Sequence, residues 1–290
     1  VSDTTNGNVS AIGLTDGDIF LDPNNNDYRL RPLSPAVDSG LNSLYPGLSV
    51  TTKDLSGADR VQGGSIDIGA FEAVQLNTDA NDIIYVKDAA TGTGSGNSWA
   101  NATDKLQAAI DVYGTHQVWV NSGVYYAQNR SFILRNNATI LGGFDVDSGI
   151  VDTSDVRIML NPDDNRGSIL DGMNARPVIW NNDNGLNGSA ILDGFTIRNG
   201  YATNGGGVYN ENVSPSLRNL VYKNNIATSG GGALYNENTY ANVTKSIFKN
   251  NTAGYGGAIY HRAAKGNYAD LVITDNTAIQ GGGIYHFGNQ

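Results

Sequence analysis

The stretch IRNGYATNGGGVYN (197–210) returns three more times before the end of the chain. The later copies are YKNNIATSGGGALYN (222–236), FKNNTAGYGGAIYH (248–261) and ITDNTAIQGGGIYH (273–286), at a period of 25 to 26 residues. A fixed period in this range predicts a solenoid, in which each copy forms one rung stacked on the previous rung. The scaffold alone defines no function, because solenoids carry enzymes, adhesins and plain structural segments.

Apolar and polar columns alternate within each copy with a period of two, as in a strand with one buried face. The apolar column of the first strand holds Ile197, Tyr222, Phe248 and Ile273. A second strand follows the glycines, with an apolar column of Val208, Leu234, Ile259 and Ile284. Two or three short strands per copy predict an all-β fold, a right-handed parallel β-helix. Glycine triplets argue against a helical solenoid, because they would weaken its helices.

Two further columns are expected to be structural. Asn tolerates left-handed backbone and bonds neighbouring backbone groups, so a hydrogen-bonded ladder is predicted at one corner of the coil, formed by Asn225, Asn251 and Asn276. The first glycine of each triplet is predicted to stack at a tight bend, at Gly205, Gly230, Gly256 and Gly281.

The repeat occupies only part of the chain. Residues 1–78 lack it and are predicted to form a small β-rich module that closes a preceding coil; its segment 16–40 resembles a linker. Residues 79–290 are predicted to form the β-helix, with a cap at 83–116, irregular rungs at 117–190 and regular rungs at 191–290. The final copy has no predicted cover, so the coil is expected to continue beyond Gln290 as one unit of a tandem array.

A short amphipathic helix is predicted within TDKLQAAIDVYG (103–114), over the open end of the coil. Thr103 or Asn101 is expected to cap its start, and Gly114 is expected to end it.

Composition narrows the function classes. The 290 residues include no cysteine, so disulfides and thiolate metal sites are excluded. The net charge of −10 argues against nucleic acid and anionic membranes as partners, and no apolar run is long enough for membrane insertion. An acidic, cysteine-free chain rich in Asn, Gly and Thr is typical of secreted bacterial surface proteins.

A polysaccharide lyase or glycoside hydrolase is the enzymatic alternative, since β-helices often carry these activities. The nearest candidates are Asp163 and Asp164 with Arg157 and Arg166, and then Asp171 and Asp193. The first pair lies in the turn-like segment NPDDNRG, and the other two lie in twin Leu-Asp-Gly phrases typical of turns. We therefore predict that no residue here is catalytic and that the chain is not an enzyme.

Two outward columns are candidates for binding. The tyrosine column follows the inward aliphatic residues and could stack on sugar rings or stiffen the coil; it consists of Tyr209, Tyr235, Tyr260 and Tyr285. A basic stripe, which could meet an acidic neighbour or polysaccharide or simply be solvated, consists of Arg198, Lys223 and Lys249, with Thr274 breaking it.

Metal and cofactor sites are not predicted. His261 and His286 occupy one column where earlier rungs have Asn, and no carboxylate or third His accompanies them. Calcium stays open in the acidic first module, which lacks the twelve-residue calcium loop; its acids include Asp16, Asp18, Asp22, Asp27, Asp54, Asp59, Asp67 and Glu72. Arg60 and Asp67 are predicted to form a structural ion pair.

Several segments resemble known families. DIFLDP (18–23), SPAVDSG (34–40) and DIGAFE (67–72) resemble the closing module of large secreted bacterial β-helix proteins of the choice-of-anchor Q type. FKNN and GGAIY, within 248–260, are similar to motifs of chlamydial polymorphic outer-membrane proteins, which are β-helical adhesins. These resemblances imply an extracellular or cell-surface protein.

Together, the repeat and the resemblances predict a structural segment of a giant fibre or adhesin. Its expected partners are neighbouring units of the same polypeptide, filament partners or cell-surface glycans. A carbohydrate-binding surface on the tyrosine column is a further alternative.

Overall fold

The computed structural model describes residues 14–49, 51–57, 59–61, 65–127, 129–158, 161–163 and 165–288. Two short α-helices occur in these ranges, α1 (Asp16–Ile19) and α2 (Leu106–Ile110), with 3-10 turns at Pro23–Asn25, Asn42–Leu44 and Val146–Ser148. The strands of the first part of the chain are β1 (Phe20–Asp22), β2 (Asp27–Leu30), β3 (Ile83–Val86), β4 (His116–Asn121), β5 (Gly123–Tyr126), β6 (Ala138–Phe144), β7 (Ser168–Asp171) and β8 (Ile179–Asn182).

The repeat region supplies three strands per copy. They are β9 (Ile191–Arg198), β10 (Tyr201–Asn204), β11 (Val208–Glu211), β12 (Ser216–Lys223), β13 (Ile226–Gly230), β14 (Leu234–Glu237), β15 (Asn242–Lys249), β16 (Thr252–Tyr255), β17 (Ile259–Arg262), β18 (Tyr268–Thr274), β19 (Thr277–Gln280) and β20 (Ile284–Phe287).

Three parallel sheets run along one axis. Sheet A has the order β18-β15-β12-β9-β6-β4-β3, with β5 and β7 joined to it at β9; sheet B has the order β10-β13-β16-β19; sheet C has the order β20-β17-β14-β11-β8. Each strand is hydrogen-bonded to its equivalent in the previous turn, and the main path of sheet A counts about seven turns. The prediction of a parallel β-solenoid is confirmed.

The core of the solenoid is built from the predicted apolar columns. Ile197, Tyr222, Phe248 and Ile273 are direct partners in successive strands, and the first three are 0 % exposed. The rings of Tyr222 and Phe248 stack with centroids 4.5 Å apart. The buried Tyr222 hydroxyl has no hydrogen-bond partner among the described residues. Because equivalent residues meet at the rung spacing, like side chains stack on like.

The predicted Asn ladder is present. The left-handed backbone and the side-chain hydrogen bonds were expected of one Asn column, but they belong to two adjacent columns. The left-handed backbone belongs to the preceding column, Asn199, Asn224, Asn250 and Asp275, with φ between +54° and +56°. Asn225, Asn251 and Asn276 instead supply the side-chain ladder: the carboxamide oxygen of Asn251 accepts from both the backbone N–H and the Nδ2 of Asn225, each at 3.0 Å. Gly200 closes the ladder, since its N–H donates to Asn225 Oδ1 at 2.9 Å.

The prediction that Gly230 belongs to the column of corner glycines is wrong. The residues that share a positive φ at this corner are Gly205, Gly231, Gly256 and Gly281, with φ between +63° and +66°. Gly230 pairs with Asn204 and Tyr255, the residues that precede the corner glycines of the neighbouring copies. The extra residue of its 26-residue copy lies between Ala227 and Gly230, where the register of β13 shifts. A Cβ on Gly230 would approach the Tyr260 ring to 3.0 Å, so glycine at this position makes room for that ring.

A second bend divides each long strand of sheet A, which periodicity alone does not show. Gly194, Asn219, Lys245 and Asp270 all have positive φ in mid-strand. At the equivalent point of the earlier turn, after Gly143, the chain leaves the sheet and returns at β7. We call the described residues of this excursion, 145–158, 161–163 and 165–167, the strap.

The amphipathic helix is shorter than predicted. The backbone of Thr103 pairs with strand β3, donating to Tyr85 O and accepting from Lys87, so α2 begins only at Leu106 and neither Thr103 nor Asn101 is its N-cap. The apolar face still joins the solenoid core, since Leu106, Ala109 and Ile110 are at most 3 % exposed.

The linker-like interpretation of residues 16–40 is wrong. This segment contains α1 and the antiparallel hairpin of β1 and β2, whose chain direction reverses at Asn26 with φ +60°. Leu30, Ala36 and Ala73 form a small core of their own. Leu76, two residues before the predicted end of the first module at residue 78, packs into the main solenoid core at 1 % exposure.

Arg31 joins this first module to the cap of the solenoid. Its guanidinium donates to the carbonyl oxygens of Asp111 and Val112, just after α2, at 2.8 Å each. It also donates to Gly17 O at 2.9 Å. Arg135 adds a contact from the solenoid side, donating to Leu21 O and to Asp111 Oδ1. A buried arginine with three carbonyl acceptors therefore ties the two parts together.

Candidate functional site on the outer faces of the solenoid

The predicted tyrosine column is a continuous ring stack on the outer face of sheet C. Tyr209, Tyr235, Tyr260 and Tyr285 are direct partners, and successive centroids lie 5.1, 4.9 and 5.5 Å apart with nearly parallel planes. Trp180 extends the stack, 4.0 Å from Tyr209. Sequence reasoning missed Trp180, although the phrase Ile-Trp-Asn at 179–181 parallels Val-Tyr-Asn at 208–210.

The ring stack leaves little aromatic surface free. Tyr209 and Tyr235 are only 8 % and 5 % exposed, because each ring is covered on both faces by its neighbours. Their hydroxyls donate to Glu211 and Glu237, at 2.5 Å each. Burial, and then this hydrogen bond, raises the pKa of both phenols. A sugar ring stacks on an aromatic face, so the inner rings of the column offer it only their edges.

The basic stripe is covered by the strap rather than by solvent. Lys223 is 8 % exposed and donates to Pro162 O at 3.1 Å and to Asn165 Oδ1 at 3.2 Å. Lys249 forms an ion pair of 2.7 Å with Asp163, which raises the pKa of the lysine. Arg198 pairs with Asp171 at 2.7 Å and with Asn165 at 3.0 Å. Of the alternatives left open for this stripe, these contacts match an acidic neighbour, which is a loop of the same chain.

The candidate catalytic carboxylates within the described residues, Asp163, Asp171 and Asp193, are engaged in structural contacts. Asp193 is buried between Arg157 at 2.9 Å and Arg218 at 2.5 Å. It lies within β9 before the Gly194 bend, so its assignment to a turn is wrong. Asp171 does form a turn, since its carboxylate accepts from Met173 N at 2.8 Å. Asp164 lies outside the described residues.

The histidine column faces the core of sheet C. Asn181, Asn210 and Asn236 form a second amide ladder there, with Nδ2–Oδ1 distances of 2.9 Å. At the next rung the ladder turns aside, and Asn236 donates to the Tyr268 hydroxyl at 2.7 Å. His261 takes the following position, and its Nε2 is buried without a partner among the described residues.

The electrostatics of His261 follow from this position. Burial, and then the neighbouring His286, lowers the pKa of His261 to about 4. The two imidazole rings meet edge-on with centroids 6.3 Å apart. In the described parts of the chain, no group of three or more His, Cys, Asp or Glu side chains is placed to hold a metal ion.

The ion pair predicted for Arg60 has a different partner. Arg60 pairs with the buried carboxylate of Glu72, and it donates to the backbone oxygen of Asp67 rather than to its side chain. The Asp67 carboxylate accepts from the N–H groups of Asp38 and Ala73, at 2.7 and 2.6 Å. Burial raises the pKa of Asp67. Calcium binding by the other acids of this module stays an open alternative.

The narrow face formed by sheet B was also missed. In each of its strands an alanine points inward and the residue before it is exposed; these alanines are Ala202, Ala227, Ala253 and Ala278. Large apolar side chains lie in the open there, with Tyr201 at 44 %, Ile226 at 40 % and Ile279 at 86 % exposure.

Comparison with known proteins finds a similarity in one rung of the chain. A family model for the Chlamydia polymorphic membrane protein repeat matches residues 245–262. One rung of this chain is therefore similar to that repeat. The match spans the end of β15 with all of β16 and β17, including the Asn251 ladder position and the Gly256 corner. Neither a curated protein nor a solved structure is significantly similar to the chain.

The described helices were also compared with the dimensions of a bilayer. Both α1 and α2 are far too short to traverse its apolar core, and the described ranges contain no other helix that could do so.

Proposed function

We propose that this chain is a structural segment of an extracellular, cell-surface adhesin or fibre, in which stacked rungs form a rigid rod. The observation that carries the proposal is the in-register stacking of the sheet A and sheet C strands between β9 and β20, with equivalent side chains paired rung after rung. The similarity of residues 245–262 to the chlamydial repeat supports a place at the cell surface, because that repeat belongs by name to a membrane protein.

Three ladders parallel to the axis give the rod its stiffness. The Asn ladder at the corner and the second amide ladder behind sheet C satisfy buried polar groups along the axis. The ring stack from Trp180 to Tyr285 adds aromatic contacts on the outside. Bending the rod would separate hydrogen-bonded groups in dry surroundings, where an unpaired group costs about 1–3 kcal/mol.

Neighbouring units of the same polypeptide are the proposed partners. The junction at Arg31 supports this part, since the first module contacts the cap of the following solenoid through buried polar contacts. In a tandem array the same junction transmits the orientation of one unit to the next. Rigid junctions and stacked rungs together suit a protein that projects from a cell.

Surface display is tested on intact cells that make the protein. Antibodies raised against the purified chain should label these cells without permeabilisation, and externally added protease should remove the label. Labelling that requires cell lysis would overturn the proposal. A cytoplasmic protein examined in parallel controls for leakage.

A further inference from the structure

The outer face of sheet B differs from the outer faces of sheets A and C in carrying no charge. The outward residues of β10, β13, β16 and β19 are Tyr201, Thr203, Ile226, Thr228, Thr252, Gly254, Tyr255, Thr277, Ile279 and Gln280. None of these residues has a formal charge. Charged columns flank the face on both sides: Arg198 and Lys223 lie on sheet A, and Glu211 and Glu237 lie on sheet C.

The charge-free region continues through whole stretches of each rung. Residues 199–210, 224–236, 250–261 and 276–286 contain no Asp, Glu, Lys or Arg, although the chain has 46 of them (18 + 28) and a net charge of −10. Soluble surfaces normally intersperse charges of both signs, which keeps flat sheets from associating. An uncharged face with exposed Tyr201, Ile226 and Tyr255 is therefore complementary to an uncharged partner.

The size of the face argues against a second protein as that partner. Four residues at about 3.3 Å each and four strands about 4.8 Å apart give roughly 250 Å². A stable protein interface takes about 800 Å² from each partner. A second copy of this chain would also bring another net charge of −10, which opposes association.

A neutral polysaccharide fits the chemistry of the face. Sugar rings present apolar C–H faces, which suit Tyr201, Ile226 and Tyr255, and equatorial hydroxyls, which suit the threonines. Each rung of the face has one outward threonine. Thr252 and Thr277 are direct partners at the rung spacing, whereas Thr203 and Thr228 lie two residues further along their strands. The rung spacing is close to the length of one sugar residue, so a chain laid along the axis passes one rung, and one outward threonine, per sugar.

We propose that the outer face of sheet B binds a neutral polysaccharide. The proposal rests on the cell-surface function above and names the class of ligand for it. The site differs from the ring stack on sheet C, because its side chains present open surface whereas the inner tyrosine rings are covered by one another.

The test is co-sedimentation of the full chain with insoluble cellulose, chitin and β-1,3-glucan, beside affinity electrophoresis in gels containing polygalacturonate. Wild type should bind at least one of the neutral polymers, with little dependence on salt. Thr228→Glu and Thr228→Lys should each weaken that binding about tenfold or more, since either charge is desolvated under the bound sugar. The matched control is Asn242→Glu, on an exposed position of sheet A.

Three results of the binding assays would overturn the proposal. The first is that wild type binds no neutral polymer. The second is that both Thr228 variants bind as well as wild type. The third is that the Glu and Lys variants change binding in opposite directions and that salt abolishes binding, which would indicate a charged ligand. Self-association of wild type that both variants abolish would assign the face to a second copy instead. Thr252→Glu provides a second site if Thr228 variants unfold, as judged by circular dichroism. Surface labelling of cells is independent of these results, so the cell-surface proposal stands or fails separately.

Discussion

Replacing Asn251 by alanine removes the central member of the Asn ladder without touching an apolar contact of the core. Asn251 is 0 % exposed. Its oxygen accepts from Asn225 N and Nδ2, and its Nδ2 donates to Tyr222 O and Asn276 Oδ1, both at 2.9 Å. Alanine therefore breaks contacts with the rungs on both sides.

The magnitude follows from the groups that are left behind. The Asn225 N–H loses its acceptor and the Tyr222 carbonyl loses a donor, both at positions water does not reach. An orphaned buried group costs about 1–3 kcal/mol, so the variant should lose about 3 kcal/mol of unfolding free energy. Asn276→Ala is the matched control, because this ladder position is only partly buried. Water can replace the lost amide there, so the loss should be about 1 kcal/mol.

The assay is urea denaturation followed by circular dichroism, with hydrogen exchange of the Asn225 amide as the local readout. Asn251→Ala should lower the midpoint more than Asn276→Ala and should speed exchange at Asn225. Equal losses in the two variants, or a loss below about 1 kcal/mol for Asn251→Ala, would refute the reasoning that the ladder satisfies buried backbone groups.

Three further substitutions test particular contacts. Tyr222→Phe should raise the unfolding free energy by about 1 kcal/mol, because it removes a buried, unpartnered hydroxyl and keeps the ring; a lower midpoint in urea would contradict this. The pKa of His261 is lowered from 6.5 to about 4, so the unfolded state binds the proton more readily, and stability should fall by up to about 3 kcal/mol as pH drops through this window. His261→Asn should abolish that loss of stability, measured by urea titrations at pH 7 and pH 4.5. The same difference in unfolding free energy between the two pH values in variant and wild type would contradict the prediction. Arg31→Met should let the first module separate from the cap, measured as faster hydrogen exchange in residues 16–40 with rungs 191–288 unaffected; unchanged exchange there would show that Arg31 does not secure the junction.

The repeat columns carried most of the information about the fold. In a stacked solenoid each residue meets its own equivalent in the next rung, so a column of Ile197, Tyr222 and Phe248 in the sequence is also a column in space. The tyrosine column and the Asn ladder were predictable for the same reason. The error at Gly230 arose because one copy holds an extra residue, and only strand pairing shows which glycine occupies the bend.

Other features depend on contacts that no local pattern encodes. Nothing near Lys249 in the chain indicates that Asp163, 86 residues earlier, covers it. Likewise, Arg60 lies close in sequence to both Asp67 and Glu72, and the fold decides that Glu72 is the ion-pair partner. The absence of charge on sheet B was visible in the sequence, but its significance required knowing which residues point outward.

By itself, therefore, the sequence determined the direction of the strands, the stacking of like residues and the inward columns, because these follow from a short period repeated along one axis. The tertiary structure alone decided what lies over the outer faces: the strap on the basic stripe, neighbouring rings on the tyrosines, and open surface on sheet B. The physical reason is that stacking joins residues at a constant separation in the chain, whereas a covering loop brings together residues whose separation has no period.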